Sequence, residues 1–172
     1  MTDQGRPRSA TLASGVEPGP LTDAERREFF NRPLLARLAT VRPDGAPYVV
    51  PLWFEWNEAD GSFWLVIRER ARFAPNLLRE PRVCLSIAAD SPPYARATIM
   101  GRAVIVGRPG ESDEWMVVAR RMTTRYVGDV DPAYFERTAR FARWLVRIVP
   151  EEMISWRGGG WRGSGWPGRC AS

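Results

Sequence analysis

Alternating apolar and polar residues between positions 35 and 106 predict a series of short antiparallel strands. β-branched and aromatic residues dominate these runs, and turns rich in Gly, Pro, Asn and Asp separate them. We expect strands over residues 35–41, 48–56, 62–67, 82–88 and 94–106, and a last strand over 144–149 that resumes over 153–156. This pattern predicts a mainly β fold with helices (α+β), arranged as a closed or split antiparallel β-barrel, because closure removes the free edges of a small sheet.

Four segments are predicted to be helical. The first begins at Thr22, which forms a capping box with Glu25, and runs to about residue 31. The second is short, with Pro75 tolerated in its first turn and Pro81 ending it. Apolar residues at helical spacing predict the other two. The last three helices cover residues 74–80, 111–126 and 132–141.

Length and composition indicate one folded domain. The chain has 172 residues, of which 44% are hydrophobic and 26% charged, which suffices for a core. We expect a flexible arm over residues 1–20, a split-barrel domain over 21–157, and a flexible Gly/Trp/Arg tail over 158–172. No apolar run is long enough to span a membrane and no signal sequence is evident, so we expect a cytoplasmic protein.

The residue types that are missing exclude several chemistries. The chain has no histidine and no lysine, and all 25 basic residues are arginine. Nucleophiles activated by histidine, histidine-ligated metals, lysine-containing phosphate loops and Schiff bases to pyridoxal phosphate are therefore excluded. The two cysteines lie far apart in sequence, so we expect neither a disulfide framework nor a metal site. If the protein is an enzyme, an organic cofactor carries the difficult step.

Arg68, Arg70 and Arg72 precede the short helix and form the first candidate site. If they continue the third strand, their side chains fall on one face, beside the free N–H groups of the helix start. Asn76 adds a polar side chain in the first turn, so the segment predicts an anion site. The alternative is that these arginines form a solvated face of an arginine-rich protein.

Residues 48–53 (YVVPLW) form the second candidate site. Pro51 cannot donate a backbone hydrogen bond, which indicates a sheet edge, a bulge or a bound ligand at that point. Flanking apolar side chains suit a planar ring whose edge bonds to the backbone. The alternative is a proline on an edge strand with core neighbours.

Three segments carry a resemblance to a known family. LARLATVRPDGAPYVVPLWFEW, RERARFAPNLLREPRVCLSI and YARATIMGRAVIVG resemble the pyridoxamine 5′-phosphate oxidase-like FMN-binding split-barrel superfamily. The chain is more similar to its actinobacterial branch, which uses FMN or a deazaflavin coenzyme. The resemblance covers residues 21–156. It implies a split-barrel homodimer with two cofactor sites at the dimer interface and a small-molecule substrate.

The resemblance also implies roles for individual residues. Those expected to line the flavin ring are Val49, Val50, Pro51, Leu52 and Trp53. Those expected to close the strand side or contact the phosphate region are Ile67, Arg68, Arg72 and Asn76. Many members carry a basic residue where this chain has Phe73, and Arg68 or Arg70 is expected to compensate. The resemblance assigns no catalytic residue.

The sequence leaves three functions open. The first is an oxidoreductase that moves a hydride between a small conjugated substrate and FMN or, alternatively, the 8-hydroxy-5-deazaflavin coenzyme. The second is a protein that binds or senses such a cofactor without turnover. The third, nucleic-acid binding through the tail, is less favoured because the arginines are spread along the chain and balanced by 20 acidic residues.

Overall fold

A computed structural model describes residues 18–158 of the chain. The arm predicted over 1–20 and the tail predicted over 158–172 lie almost wholly outside these residues. The strands are β1 (Ala36–Val41), β2 (Pro47–Leu52), β3 (Glu55–Trp56), β4 (Phe63–Arg68), β5 (Arg82–Ala88), β6 (Arg96–Gly107) and β7 (Arg143–Trp156). The helices are α1 (Asp23–Asn31), α2 (Ala74–Arg79), α3 (Glu114–Tyr126) and α4 (Tyr134–Ala139).

The seven strands form one antiparallel sheet in the order β2-β1-β5-β6-β7-β4-β3. The sheet curls into a half-barrel, which confirms the predicted α+β split-barrel class. Among residues 18–158 the sheet is open, because β2 and β3 each pair on one side only. The long strands β6 and β7 form the central pair, and two register shifts along them bend the sheet.

Alternation of buried and less buried positions in β1, β4 and β5 directs one face of the sheet into the core. Phe63, Leu65 and Ile67 of β4 are buried on this face, as are Leu85 and Ile87 of β5. Apolar side chains at every second position bury their area in this core, which is the main stabilising term of such a sheet.

The helix α1 closes one end of the half-barrel. Its predicted capping box is confirmed, because the Glu25 N–H donates to Thr22 Oγ1 at 3.3 Å and the Thr22 N–H donates to Glu25 Oε2 at 2.7 Å. The ring of Phe30 is fully buried and meets the ring of Phe63 edge-on at 5.0 Å. Backbone pairing between Gly19 and Arg157 ties the start of the described chain to its end.

The helices α3 and α4 are inserted between β6 and β7, and α3 packs on the face of β7 opposite the main core. Trp115, Val118 and Met122 of α3 form a second apolar cluster with Leu145 of β7. Both helices are shorter than the sequence predicted: α3 begins at Glu114 rather than residue 111, and α4 has six residues.

Two strand predictions need correction. The strand predicted over 48–56 is interrupted at Trp53 and Phe54, so that β2 and β3 are separate strands. β2 is an edge strand, which accounts for Pro51. The third strand ends at Arg68, and residues 69–70 turn away, so Arg70 and Arg72 do not continue a one-sided ladder. Within residues 18–158, no helix has both the length and the apolar character needed to cross a membrane.

Candidate functional site

A cavity of about 570 Å³ lies between the sheet and the two inserted helices. We call its two sides the strand wall and the helical wall. The strand wall consists of the ends of β2, β4 and β7 with the turn that leads into α2, namely Leu35, Pro51, Leu52, Trp53, Val66, Ile67, Arg68, Arg70, Ala71, Phe73 and Arg143. The helical wall consists of Trp115, Ala119, Met122, Thr123, Tyr134, Phe135, Thr138 and Ala139.

Six of the ten residues predicted to form a site line this cavity. Pro51, Leu52 and Trp53 come from the end of β2, and Ile67 and Arg68 come from the end of β4. Arg70 joins them from the following turn. β2 and β4 do not pair with each other. The cavity therefore brings together residues that are neither close in sequence nor on paired strands.

The other four predicted residues lie elsewhere. Val49 is 59% exposed on the sheet edge, and Val50 packs against the main core. Asn76 is buried, and its Nδ2 donates to Thr40 Oγ1 at 3.0 Å, so its amide stabilises the packing of α2 on β1. Arg72 is not among the residues that line the cavity. The cofactor roles of all ten residues remain predictions.

The predicted anion site at the start of α2 is also placed differently. The N–H groups of Ala74 and Asn76 donate to the carbonyls of Ala71 and Phe73 at 2.9 and 3.0 Å. They are therefore occupied within the turn. The positive charge of this region comes from the arginine side chains.

Trp53 occupies the break between β2 and β3 and is held between two tyrosines. Its ring stacks on Tyr126 at 5.0 Å with an angle of 8° between the planes, and lies 5.3 Å from the ring of Tyr134. The Tyr126 hydroxyl donates to the Leu34 carbonyl at 2.6 Å and accepts from the Phe54 N–H at 3.3 Å. These bonds satisfy backbone groups that the interrupted strand leaves unpaired, and they fix Trp53 in the strand wall.

The helical wall was missed at the sequence level. The sequence predicted the two inserted helices from apolar residues at helical spacing and assigned none of those residues to a site. Trp115 and Met122 of α3 both pack on Leu145 and line the cavity, and Tyr134 and Phe135 of α4 line it as well. The signal available was a run of aromatic residues on two helices next to each other in the chain, and spacing alone does not show which of them face a cavity.

Hydroxyl groups also line the helical wall. The hydroxyls of Thr123 and Thr138 donate to the carbonyls of Ala119 and Phe135 at 2.9 and 3.3 Å. Among the described residues, the Tyr134 hydroxyl makes no hydrogen bond of this kind, which leaves it available to a ligand.

The charged residues of the lining are three arginines: Arg68, Arg70 and Arg143. Among the described residues, none of the three forms an ion pair, although several other arginines of the chain do. On the inserted helices and β3, Glu136 pairs with Arg120, Asp131 with Arg137, and Glu55 with Arg121. The lining therefore combines aromatic surface with unneutralised positive charge, which suits an aromatic anion.

Arg143 has the most perturbed environment of the three. Burial of its side chain lowers the pKa of the guanidinium, and the positive charge of Arg68 lowers this pKa further. Its Nε is buried without a hydrogen-bond partner among the described residues. A bound oxyanion at the cavity would neutralise the positive charge of this guanidinium. Across residues 18–158, no group of three or more His, Cys, Asp or Glu side chains could hold a metal ion.

The fold and the cavity define the class: a split-barrel protein whose inserted helices cover a positively charged cavity at the strand ends. The pyridoxamine 5′-phosphate oxidase family matches residues 22–157. The chain belongs to this family. The family resemblance predicted from the sequence is thereby confirmed. A comparison with curated protein sequences returns no match.

Solved structures of the same fold include proteins with different printed descriptions. The conserved hypothetical protein Rv2991 from Mycobacterium tuberculosis is 28% identical over 80% of this chain and 85% of its own, with a TM-score of 0.66. HutZ, the haem storage protein from Vibrio cholerae, is 26% identical over 79% and 96%, with a TM-score of 0.61. An F420 reductase is 24% identical over 74% and 94%, with a TM-score of 0.56, a likeness that shows the fold.

Proposed function

We propose that the protein is an oxidoreductase that binds FMN or a deazaflavin coenzyme in this cavity and transfers a hydride between the cofactor and a small conjugated substrate. The observation that carries the proposal is the convergence of Pro51, Trp53, Ile67, Arg68 and Arg70, which come from separate segments, on one cavity. The family membership and the F420 reductase of the same fold support it.

The lining residues suit the two halves of such a cofactor. Trp53, Tyr134 and Phe135 provide aromatic surface against which a tricyclic ring stacks, while Phe73 and Ile67 provide buried apolar contacts. Arg70 and Arg68 contribute positive charge to the lining, which suits the anionic tail of the cofactor. A bound flavin or deazaflavin supplies the hydride chemistry, and the protein orients the ring and excludes water. Tyr134 contributes a hydroxyl group to the same lining.

FMN is the first choice and the deazaflavin coenzyme the alternative. None of the described residues that line the cavity is acidic, so the cavity suits either the phosphate of FMN or the extra carboxylates of a deazaflavin tail. We further propose that the protein forms a homodimer, with the free edge of β2 and its exposed Val49 beside the cavity.

A protein that binds the cofactor without turnover is the second candidate function. The observation that favours it is the similarity to a haem storage protein, which shows that this fold serves carriers. Haem held by an imidazole is excluded for this chain because it has no histidine. The carrier we consider is therefore one for a flavin or deazaflavin.

Cofactor titration of the full-length protein tests the proposal. We expect FMN or the deazaflavin coenzyme to bind at micromolar concentration or below, measured by quenching of cofactor or tryptophan fluorescence. The variant Arg70→Gln removes a cavity cation and is expected to weaken binding by about tenfold, which is typical of one charged hydrogen bond.

The variant Arg102→Gln is the matched control. Arg102 on β6 does not line the cavity and no cofactor role is predicted for it, so its loss should leave the affinity within about twofold. Absence of binding by either cofactor at saturating concentration would overturn the proposal, and so would a larger effect of Arg102→Gln than of Arg70→Gln. Turnover with a panel of quinones and enones then separates an enzyme from a carrier.

A further inference from the structure

Arg68 and Arg143 lie directly opposite each other on the adjacent strands β4 and β7. In the antiparallel pairing of β4 with β7, Arg68 is opposite Arg143, and Val66 is opposite Leu145 on the same face. Directly opposed side chains in such a pair have Cβ atoms about 5 Å apart, and like charges there are destabilising. The opposed positions therefore place two positive charges side by side at the edge of the cavity.

Neighbouring groups restrict both guanidinium groups. The Cζ of Arg68 lies 4.4 Å from the centre of the Phe141 ring. Arg143 donates from Nη2 to the Thr138 carbonyl at 3.2 Å, and its Cζ lies 5.9 Å from the centre of the Trp115 ring. These contacts hold the two side chains over aromatic surface while leaving most of their N–H donors unused.

Carboxylates near this point do not neutralise the pair. Arg147 lies on the same face of β7 as Arg143, and it forms an ion pair with Asp60 at 3.8 Å. The Glu69 carboxylate is next to Arg68 in sequence, yet it forms no ion pair with an arginine of the described chain. Among the described residues, the opposed charges of Arg68 and Arg143 therefore have no carboxylate partner.

We propose that Arg68 and Arg143 together form a binding site for an oxyanion, either a phosphate or a carboxylate group, at the edge of the cavity. Planar guanidinium groups bind such oxyanions through parallel N–H···O bonds, and two of them suit a doubly charged group. Arg143 lies outside the segments from which the phosphate contacts were predicted. The oxyanion site stands whether or not the cavity binds a flavin, whereas assigning the anion to a cofactor rests on the proposed function.

A double-mutant cycle tests the pair. Wild-type protein, Arg68→Gln, Arg143→Gln and the double variant are unfolded in urea, first in a buffer without multivalent anions and then with inorganic pyrophosphate. Without pyrophosphate, we expect the cycle to show repulsive coupling between the two arginines. With pyrophosphate, we expect the wild type to be stabilised and each single variant to show an apparent affinity about tenfold weaker.

Arg147→Gln is the matched control, because it removes a positive charge from the same face of the same strand outside the cavity. We expect this variant to keep the pyrophosphate response of the wild type. The proposal is overturned if pyrophosphate does not stabilise the wild type, or if Arg147→Gln loses the response as fully as Arg143→Gln.

Comparison of FMN with riboflavin identifies the source of the anion, because riboflavin lacks the phosphate. If Arg143→Gln reduces the difference in affinity between FMN and riboflavin, Arg68 and Arg143 bind the cofactor phosphate. If the variant leaves that difference unchanged and abolishes the pyrophosphate response, the two arginines bind an anionic group of the substrate. The wild-type protein could respond to pyrophosphate and yet bind neither flavin nor deazaflavin. That result contradicts the proposed function and supports the oxyanion site.

Discussion

Tyr126 connects three parts of the molecule through one hydroxyl group. Tyr126 lies at the end of α3, and its ring stacks on Trp53. Its hydroxyl bonds to the backbone of Leu34, which precedes β1, and of Phe54, which follows β2. Removal of the hydroxyl leaves the Leu34 carbonyl without this donor in a partly buried position. The position of Trp53 in the strand wall therefore depends on a residue that does not itself line the cavity.

We expect Tyr126→Phe to lower the free energy of unfolding at pH 7 by about 1–2 kcal/mol, because a partly buried acceptor loses its donor while the stacking ring remains. Urea unfolding followed by tryptophan fluorescence measures this effect. Tyr48→Phe, on the strand that carries Pro51, is the control, since its hydroxyl makes no hydrogen bond among the described residues. An equal loss in both variants would contradict the role of the Tyr126 hydroxyl.

The same variant should change the alkaline dependence of stability. Burial raises the pKa of the Tyr126 phenol above its usual value, so the folded protein retains a proton that the unfolded chain has already lost. This contribution to stability is complete below the unfolded pKa of about 10 and is lost as the pH rises through the folded pKa. Tyr126→Phe should therefore lose less stability than the wild type when the pH is raised through this range.

At the scale of elements, β6 has a glycine at each of the two register shifts in its pairing with β7. Gly101 is opposite Pro150 and Gly107 is opposite Leu145, and a register shift accompanies each glycine. A Cβ at position 101 would lie 2.2 Å from the Val149 carbonyl oxygen, a backbone atom that moves only with its strand. A Cβ at position 107 would be no closer than 3.5 Å to Ser112 Oγ.

We expect Gly101→Ala to destabilise the protein by about 1–3 kcal/mol, because the added methyl group forces the two central strands apart. Gly107→Ala is the matched control on the same strand and should change stability by less than about 0.5 kcal/mol. The thermal midpoints of the two variants measure the difference. Equal midpoints would show that the sheet accommodates a side chain at position 101 without cost.

Local signals in the sequence were sufficient for most elements. The capping box at Thr22, Pro51 on an edge strand and the alternating pattern of β5 all depend on neighbours in the chain, and the structure confirms them. The strand break at Trp53 was not predicted because it depends on Tyr126, which is distant in sequence. Residues 48–56 have strand propensity throughout, so tertiary hydrogen bonds decide where β2 ends.

The candidate site was predictable where one segment forms it. Pro51, Leu52 and Trp53 reach the cavity because the end of β2 does so as a unit. Arg72 and Asn76 were chosen for their spacing, yet the chain turns after Arg68 and directs Asn76 into the packing of α2. Arg143 could not be found from sequence, because only the pairing of β4 with β7 places it opposite Arg68.

At the scale of the whole molecule, the half-barrel exposes apolar side chains at one edge of the sheet. Within residues 18–158, β2 pairs on one side only, and Val49 on its other edge is 59% exposed next to residues of the strand wall. Leu78 on α2 is also 53% exposed. Exposed apolar side chains of this size beside a cavity are typical of interaction surfaces.

We expect the protein to be a homodimer in solution, with a mass by light scattering of twice the 19.5 kDa of one chain. Val49→Arg places a charge on the free edge of β2 and should shift the protein towards the monomer. Val130→Arg is the control, because Val130 is 92% exposed and lies between α3 and α4 in the chain rather than on the edge of β2. A wild-type protein that stays monomeric at high concentration would contradict the expected assembly.

The helical wall comes from one uninterrupted stretch, residues 108–142, whose two ends join strands that already pair with each other. The residues of the strand wall lie outside this stretch. Exchange of this stretch for the equivalent stretch of a relative would therefore change which ligands the cavity binds, while the order of the strands stayed the same. Ligand selectivity in this fold can diversify through residues 108–142 alone, without a change in the sheet.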